Sequence, residues 1–280
     1  MKRGDVTVDG DKNTWRFKAK YVPDFAFAAS DHYLWDATNV VVDSLTSRRV
    51  VVAAAYKRES EDFYEVTEIG KKVIEYLSKE LPGVPFPYPE ITVFNGSGGM
   101  EYPMMVNDGS SSRRSSTVHV AFHEITHTYF PFYMGINERK YGWMDEGWAV
   151  MIPFEIQSRL EPSYDPITRI VDRYSNSAGR ELDVPVMIPR IVFSGNVYRP
   201  SLRGATYQRP SIAYHFLRDF LGEKLFRKAL KEFISRWNGK HPIPYDFFFT
   251  FNDVAKEDLG RFWKPWFFEP GYPGCQRGCR

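Results

Sequence analysis

The first third of the chain contains five segments rich in β-branched and aromatic residues, separated by polar turns. They lie at residues 15–18, 24–28, 39–43, 49–56 and 90–94. Short runs of this composition, bounded by turn residues, are typical of β-strands. The sequence therefore predicts that the chain begins with a β-sheet.

The hydrophobic period changes between residues 61 and 81. Apolar side chains recur there at intervals of three or four residues, at Phe63, Val66, Ile69, Val73 and Leu77. This spacing places them on one face of a helix, and the Pro-Gly pair at residues 82–83 ends the run. A helix over residues 61–81 is expected.

Helical patterns dominate after a serine-rich stretch at residues 108–116, which is predicted to be a surface loop. The candidate helices are residues 117–130, 144–160, 210–221, 223–237, 244–254 and 257–268. Strands followed by helices predict a fold of the α+β class. Neither an internal repeat nor a linker divides the sequence, so residues 1–280 are expected to form a single domain.

Composition narrows the class of protein. The chain has 280 residues, of which 16% are aromatic, and this is ample material for a folded core. A net charge of +2 provides no broad basic face of the kind that binds nucleic acid. No apolar run approaches the ~20 residues of a membrane helix, and the polar N-terminus lacks the apolar segment of a signal peptide. A soluble globular protein is expected, while its native compartment stays open.

The two cysteines, Cys275 and Cys279, lie within the last six residues. At this spacing they could form a strained local bridge or remain reduced, and they are too few to hold a structural zinc ion. Both redox states stay open.

A pentapeptide with the pattern His-Glu-x-x-His begins at His123. Residues four apart on a helix differ by only about 40° in direction, so His123 and His127 can bind one cation from the same face. Glu124 lies beside the first histidine, where its carboxylate can reach a water molecule near a metal without binding the metal itself. The pentapeptide alone also fits two histidines that are merely packed or exposed.

Glu146 provides a second signal, because it follows His127 with eighteen residues between them. This distance is sufficient to end one helix, cross a loop and begin another helix that faces the first. Two histidines and one glutamate are a known set of three protein ligands for a catalytic zinc ion. The spacing favours a zinc site over a solvated helix charge. His119 is interpreted as a packed or hydrogen-bonded helix residue rather than a ligand.

With these motifs the sequence resembles the gluzincin zinc metallopeptidases of the aminopeptidase N type. Members carry a Gly-x-Met-Glu segment upstream of the zinc motif, and Gly98-Gly99-Met100-Glu101 occupies that place here. Tyr207-Gln208-Arg209-Pro210 is similar to the family's Tyr-x-Lys-Gly segment, which holds the catalytic tyrosine. The resemblance implies a thermolysin-like catalytic domain with an N-terminal mixed β-sheet. Residues 1 to about 30 are then expected to be the tail of a preceding β domain.

The resemblance also implies an activity, the hydrolysis of the N-terminal peptide bond of peptides by water activated at one Zn²⁺ ion. His123, His127 and Glu146 are the implied metal ligands. Glu124 is the implied general base, and Tyr207 is the implied hydrogen-bond donor to the oxyanion.

Substrate binding is implied for the upstream segment. Glu101 is expected to bind the free α-ammonium group of the peptide, while Gly98, Gly99 and Met100 are expected to contact its backbone. Two alternatives remain open at this point. An open cleft could serve an endopeptidase or another small-substrate hydrolase, and a non-catalytic zinc-bearing module could bind peptides without turnover.

Two of these motifs depart from the family pattern. Asp145 precedes the ligand glutamate where many relatives have Asn, and Arg209-Pro210 replaces the commoner Lys-Gly. Pro210 fits the first turn of a helix, where its missing N–H costs nothing. Tyr207 is then predicted to lie in the loop just before that helix.

Overall fold

A hairpin and a five-stranded sheet form the N-terminal part of the protein in a computed structural model, which describes residues 2–193 and 198–273. The hairpin pairs β1 (Lys2–Asp9) with β2 (Lys12–Lys18). The sheet contains β3 (Leu34–Asp43), β4 (Arg48–Tyr56), β5 (Glu90–Asn95), β6 (Met100–Tyr102) and β7 (Met105–Asp108). Cys275 and Cys279 lie outside the described residues.

The sheet is mixed, with the strand order β3-β4-β5-β7-β6. Strands β4, β5 and β7 run parallel, whereas β3 and β6 are antiparallel to their neighbours. The register pairs Val52 with Ile91 and Ala54 with Val93, and all four side chains are fully buried. The core therefore lies on the parallel strands, and β6 remains an edge strand.

Helix α1 (Val66–Lys79) covers one face of this sheet. It follows a tight helical turn at Glu61–Glu65, and its apolar side chains are buried as the sequence period requires. Gly70 allows close contact, because a Cβ at this position would lie 2.9 Å from Cγ1 of Val52. The prediction of a helix in this region is confirmed.

The rest of the molecule is mainly helical. The helices are α2 (Arg114–Thr126), α3 (Glu146–Met151), α4 (Phe154–Leu160), α5 (Pro166–Ser175), α6 (Arg199–Arg203), α7 (Arg209–Leu221), α8 (Glu223–Trp237), α9 (Pro244–Ala255) and α10 (Gly260–Trp263). None of these described helices combines the length and the apolar character needed to cross a membrane. The order of strands and helices confirms the α+β prediction.

Aromatic stacking joins α3 to α7. Trp148 lies parallel to Tyr214, with ring centroids 3.6 Å apart and an interplanar angle of 9°. Gly147 makes this approach feasible, because a Cβ there would lie 2.9 Å from both Pro210 and Tyr214. The helix that begins with Glu146 is therefore fixed against α7.

The predicted strand at residues 24–28 is wrong. The segment is irregular, and Phe25 and Phe27 are 77% and 83% exposed. Its composition suits a strand, but none of the described strands lies alongside to pair with its backbone groups. Composition alone could not supply that partner.

Two predicted helices are interrupted. Pro153 divides residues 144–160 into α3 and α4, because proline cannot donate the hydrogen bond that a continuous helix needs. Residues 257–268 are regular only in α10 and continue as wide turns at Lys264–Phe268. Strands β6 and β7, of three and four residues, were too short for the pattern to reveal.

Candidate metal centre and active site

The two histidines of the pentapeptide lie at the end of α2. His123 is in the last turn of the helix, and His127 follows its last residue. The backbone leaves the helical path at Phe130 (φ −131°, ψ 103°). The planes of the two imidazole rings are nearly perpendicular, and their Nε2 atoms lie 3.3 Å apart. One turn of helix therefore presents two nitrogen donors to the same point.

Glu146 begins α3 and supplies a third donor atom. Its Oε2 lies 3.2 Å from Nε2 of His123 and 3.4 Å from Nε2 of His127. A tetrahedral zinc ion with bonds of about 2.0–2.1 Å holds its ligand atoms about 3.3–3.4 Å apart. The three residues therefore fit zinc both in the chemistry of their donors and in their spacing.

The charge of the glutamate suits this arrangement. Burial opposes ionisation, but the imidazoles of His127 and His123 outweigh it and hold the pKa of Glu146 well below its usual range. A metal ligand must be deprotonated to bind. Glu146 meets that requirement at neutral pH.

Asp145 orients the second imidazole. Nδ1 of His127 donates to Oδ1 of Asp145 at 2.6 Å and to the carbonyl oxygen of Phe130 at 2.9 Å. Because a carbonyl can only accept, the proton lies on Nδ1 and leaves Nε2 as the lone-pair donor. The aspartate that departs from the family pattern is therefore the partner of a candidate ligand.

Glu124 lies beside the donor triangle and lines the same cleft. Its side chain is buried, and burial raises the pKa of the carboxyl although the His123 and His127 charges partly offset this. A carboxylate with a raised pKa is a better proton acceptor at neutral pH than an exposed one. It occupies space that Gly99 leaves free, since a Cβ on that glycine would lie 2.4 Å from Oε1.

The Gly-x-Met-Glu segment forms the edge of the cleft. Gly99, Met100 and Glu101 line a cavity of about 440 Å³, whereas Gly98 precedes the lining residues. Met100 is 42% exposed on the edge strand β6, and Glu101 is 9% exposed. The carboxylate of Glu101 lies within 4.8 Å of the donor atoms of His127 and Asp145.

Tyr207 lies in a wide helical turn, Gly204–Gln208, that runs directly into α7. The prediction that it lies in a loop is wrong, because the helical path begins before Pro210, which is the second residue of α7. The hydroxyl of Tyr207 donates a hydrogen bond to Oε1 of Glu146. Burial and the charge of Glu146 raise the pKa of Tyr207, so the phenol is protonated at neutral pH.

Several residues that line the cleft were not identified from the sequence: Glu138, Arg139, Arg190, Ile191, Phe193 and Leu202. Glu138 and Arg190 bring charge to the site. Burial and the charge of Glu101 raise the pKa of Glu138, and Nη1 of Arg190 lies 3.6 Å from Oε1 of Glu146. Glu138 lies in a turn and Arg190 begins a three-residue helical turn, and neither belongs to a motif, so the sequence offered no signal beyond the charge itself.

His119 contacts residues outside the donor triangle. Its Nδ1 accepts hydrogen bonds from Nε2 of Gln157 at 3.2 Å and from the hydroxyl of Tyr164 at 3.4 Å. Burial lowers the pKa of His119 to about 4. Its prediction as a hydrogen-bonded helix residue is confirmed.

Comparison with known proteins identifies the class to which this fold and site belong. The profile described as Peptidase family M1 domain matches residues 67–266. The chain therefore belongs to peptidase family M1, which confirms the resemblance to the aminopeptidase N type. A zinc cofactor is supported by this membership and by the donor set.

Individual relatives agree with this assignment. The chain is 24% identical over 250 residues to aminopeptidase N of Lactococcus lactis, covering 80% of this chain and 28% of the relative. It is 22% identical over 285 residues to leucine aminopeptidase 2 of Aspergillus terreus, covering 94% and 44%. The chain thus spans less than half the length of these curated relatives.

Solved structures share the fold. An M1 zinc metallopeptidase mutant from Deinococcus radiodurans, bound to a Tyr-Ser-Ala substrate, superposes with a TM-score of 0.71 at 16% identity. The match covers 97% of this chain and 60% of that chain. A two-domain M1 zinc metallopeptidase mutant bound to L-arginine gives a TM-score of 0.73 at 14% identity. These likenesses confirm the predicted architecture, a mixed sheet followed by a helical part.

Proposed function

We propose that this chain is a zinc aminopeptidase that removes the N-terminal residue of peptides with a free amino group. The observation that carries the proposal is the triangle of donor atoms from His123, His127 and Glu146, with edges of 3.2 to 3.4 Å, beside the buried carboxylate of Glu101. The names of the curated relatives, aminopeptidase N and leucine aminopeptidase 2, support the same activity.

A single zinc ion is proposed, held by the three triangle residues. When bound, zinc supplies the Lewis acidity that polarises the scissile carbonyl and lowers the pKa of a water molecule. Glu101, His127 and Asp145 also lie close enough to suggest a second ion. However, Nδ1 of His127 already donates to Asp145 at 2.6 Å, so that nitrogen has no lone pair for a metal.

Glu124 is the proposed general base. As water attacks the scissile carbonyl carbon and the new C–O bond forms, this carboxylate takes one proton from the water. It returns the proton to the leaving amine when the C–N bond breaks. Its burial and raised pKa support this exchange at neutral pH.

Tyr207 is the proposed donor to the developing oxyanion. Its phenol is protonated and lies at the metal site, as its hydrogen bond to Glu146 indicates. Loss of one such donor typically costs about 3–4 kcal/mol of transition-state stabilisation.

Glu101 is the proposed anchor for the α-ammonium group. Glu101 is a buried carboxylate that lines the cleft and forms no ion pair with the residues that the structure describes, so it suits a cationic substrate group. The edge position of β6 supports pairing of the peptide backbone with this strand, aided by Gly98, Gly99 and Met100. An anchored amine leaves room for one residue before the cleaved bond.

The decisive experiment compares wild type with Glu124→Gln on a panel of aminoacyl anilides, with zinc content measured in parallel. We expect the variant to retain zinc and to lose hydrolysis, because Glu124 acts on the proton and not on the metal. Glu59→Gln, an exposed glutamate, is the matched control. Loss of zinc in Glu124→Gln, or hydrolysis at the wild-type rate, would contradict the assignment.

An N-acetylated peptide tests the substrate class. We expect it to resist cleavage, since it lacks the ammonium group that Glu101 is proposed to bind. Equal cleavage of acetylated and free peptides would instead favour an endopeptidase. If the zinc-loaded protein hydrolysed none of the substrates, a peptide-binding module without catalytic activity would be favoured.

We also propose that the chain after about residue 30 forms one catalytic domain and that residues 1–30 belong to a preceding β domain. Buried apolar residues from Val40 to Phe267 form one contiguous core. In contrast, every described residue of β2 is exposed, including Trp15 at 55% and Phe17 at 58%. Limited proteolysis between residues 19 and 30 that leaves the remaining fragment folded would support this boundary.

A further inference from the structure

The hydroxyl of Tyr207 has one hydrogen atom to donate, but two acceptors need it: Oε1 of Glu146 and the oxyanion of the substrate. It donates that hydrogen to Oε1 of Glu146, the oxygen of this ligand that does not face the two imidazoles. The proposed function requires the same hydrogen to reach the oxyanion of the substrate. Donation to the substrate would therefore leave Oε1 without its donor. Glu146 is 4% exposed, so water has little access to compensate.

Arg190 brings a guanidinium cation close to that oxygen. Its Nη1 lies 3.6 Å from Oε1 of Glu146, just beyond hydrogen-bond length, and it is the only lysine or arginine that forms an ion pair with this carboxylate in the described chain. The guanidinium is partly exposed to the cleft, where it lies beside Tyr207. A small movement would complete a hydrogen bond to the oxygen that Tyr207 releases.

The segment that carries Arg190 is held in place by its surroundings. The N–H of Ile191 donates to the carbonyl oxygen of Arg139 at 2.9 Å, which ties this segment to the loop before α3. The stem of Arg190 crosses Gly142, where a Cβ would lie 2.9 Å from Cδ of the arginine. The absence of a side chain at Gly142 therefore lets the guanidinium approach Glu146.

We propose that Arg190 is a positioning residue that takes over Oε1 of Glu146 when the Tyr207 hydroxyl turns to the substrate. This inference rests on the proposed function. A buried carboxylate oxygen that loses its only donor costs free energy, and a cation at 3.6 Å lies close enough to offset that cost. Arg190 thereby frees Tyr207 without itself touching the reacting atoms.

A double-mutant cycle on Arg190→Gln and Tyr207→Phe tests the proposal. The first readout is the zinc dissociation constant, measured by competition with a chelator. Each single variant keeps one donor for Oε1, so its dissociation constant should rise less than about threefold. The double variant leaves Oε1 unpaired. The fold increase in its dissociation constant should exceed the product of the two single-variant fold increases by at least about tenfold.

Turnover provides the second readout. Arg190→Gln should lower kcat about tenfold with KM changed less than about twofold, because Tyr207 stays bound to Glu146 and the substrate keeps its own contacts. In the Tyr207→Phe background the same substitution should change kcat less than about twofold, since no hydroxyl remains to be released. Arg190→Lys should recover most of the activity. Arg203→Gln, an exposed arginine four residues before Tyr207, is the matched control.

Additive effects in both cycles would overturn the proposal, as would a rise in KM that accounts for the loss of activity. Failure of the aminopeptidase assignment is distinguishable from this result. If wild type hydrolyses no anilide, the proposed function fails, while the zinc cycle still decides whether Arg190 and Tyr207 are alternative donors to Glu146.

Discussion

Gly99 lies in direct contact with the Glu124 carboxylate. A Cβ added to this glycine would stand 2.4 Å from Oε1 of Glu124 and 3.4 Å from Cγ1 of Val120. Real carbon and oxygen atoms do not approach so closely, so a side chain at position 99 must displace the carboxylate. The Gly-x-Met-Glu segment thus shapes the space in which the proposed general base lies.

Gly99→Ala should lower kcat by about tenfold to hundredfold, because a displacement of about 1 Å of a reacting group has that effect. The zinc content should not change, since the atoms nearest to the added Cβ belong to Glu124 and Val120 and not to the donor triangle. Gly109→Ala is the control, because the nearest atom to its added Cβ is 3.7 Å away. Wild-type kcat in Gly99→Ala would show that Glu124 can move without loss.

Asp145 supports zinc binding through His127. Asp145→Ala should weaken zinc affinity by about tenfold to hundredfold, because the imidazole loses the acceptor that fixes its orientation. Asp145→Asn retains an acceptor oxygen and should lose much less. Competition with a chelator measures both values. Unchanged affinity in the alanine variant would mean that the Phe130 carbonyl alone orients the ring.

The metal ligands could be predicted from sequence because local geometry fixes most of their arrangement. The helical period places His123 and His127 on one face, and eighteen residues allow Glu146 to return. Arg190 and Glu138 could not be predicted in this way. Their position depends on how a loop and a three-residue helical turn pack against the cleft, and neither residue belongs to a motif.

The same distinction applies to the fold. Helix α1 was predictable because its apolar period and its Pro-Gly end are local features. The prediction of a strand at residues 24–28 was wrong, because a strand forms only beside another strand that pairs with it. Amino-acid composition does not show whether such a partner is present. The helix expected over residues 144–160 failed at Pro153, whose local effect outweighs the apolar pattern around it.

Asp108 should make stability depend on pH. It is 1% exposed at the end of β7, and burial together with the charge of Glu124 raises its pKa from 3.8 to about 7. The folded protein therefore binds this proton more tightly than the unfolded chain does. The free energy of unfolding should fall as pH rises from about 4 to above 7, by at most about 4 kcal/mol.

Asp108→Asn isolates this contribution. Urea unfolding of metal-free wild type and variant, repeated between pH 4 and pH 8, gives the difference in unfolding free energy at each pH. As pH rises, the variant should become more stable relative to wild type. Asp172→Asn, which changes an exposed aspartate, is the matched control. If the difference in unfolding free energy between Asp108→Asn and wild type were the same at every pH, Asp108 would have the same pKa in the folded and the unfolded protein.

Arg209 should be essential for stability, although it replaces the family's commoner lysine. Its side chain is fully buried, and its guanidinium donates to the carbonyl oxygens of Trp266 at 2.9 Å and Pro265 at 2.5 Å. A third bond reaches the hydroxyl of Tyr174 at 3.0 Å, which in turn donates to Asp183. A guanidinium can donate hydrogen bonds to three separated acceptors at once. The ammonium group of a lysine is a single compact donor on a shorter side chain and cannot reach all three.

Arg209→Met keeps much of the side-chain volume but removes all three donors. The free energy of unfolding should fall by about 2–4 kcal/mol, because buried carbonyl oxygens of the segment around Pro265 lose their partner. Arg209→Lys should recover only part of this loss, since one ammonium cannot span the three acceptors. Chemical denaturation measures both, and Arg203→Met on the surface should change stability by less than about 0.5 kcal/mol. If the lysine variant were as stable as wild type, the several hydrogen bonds of the Arg209 guanidinium would not be needed to hold α7 against the C-terminal segment.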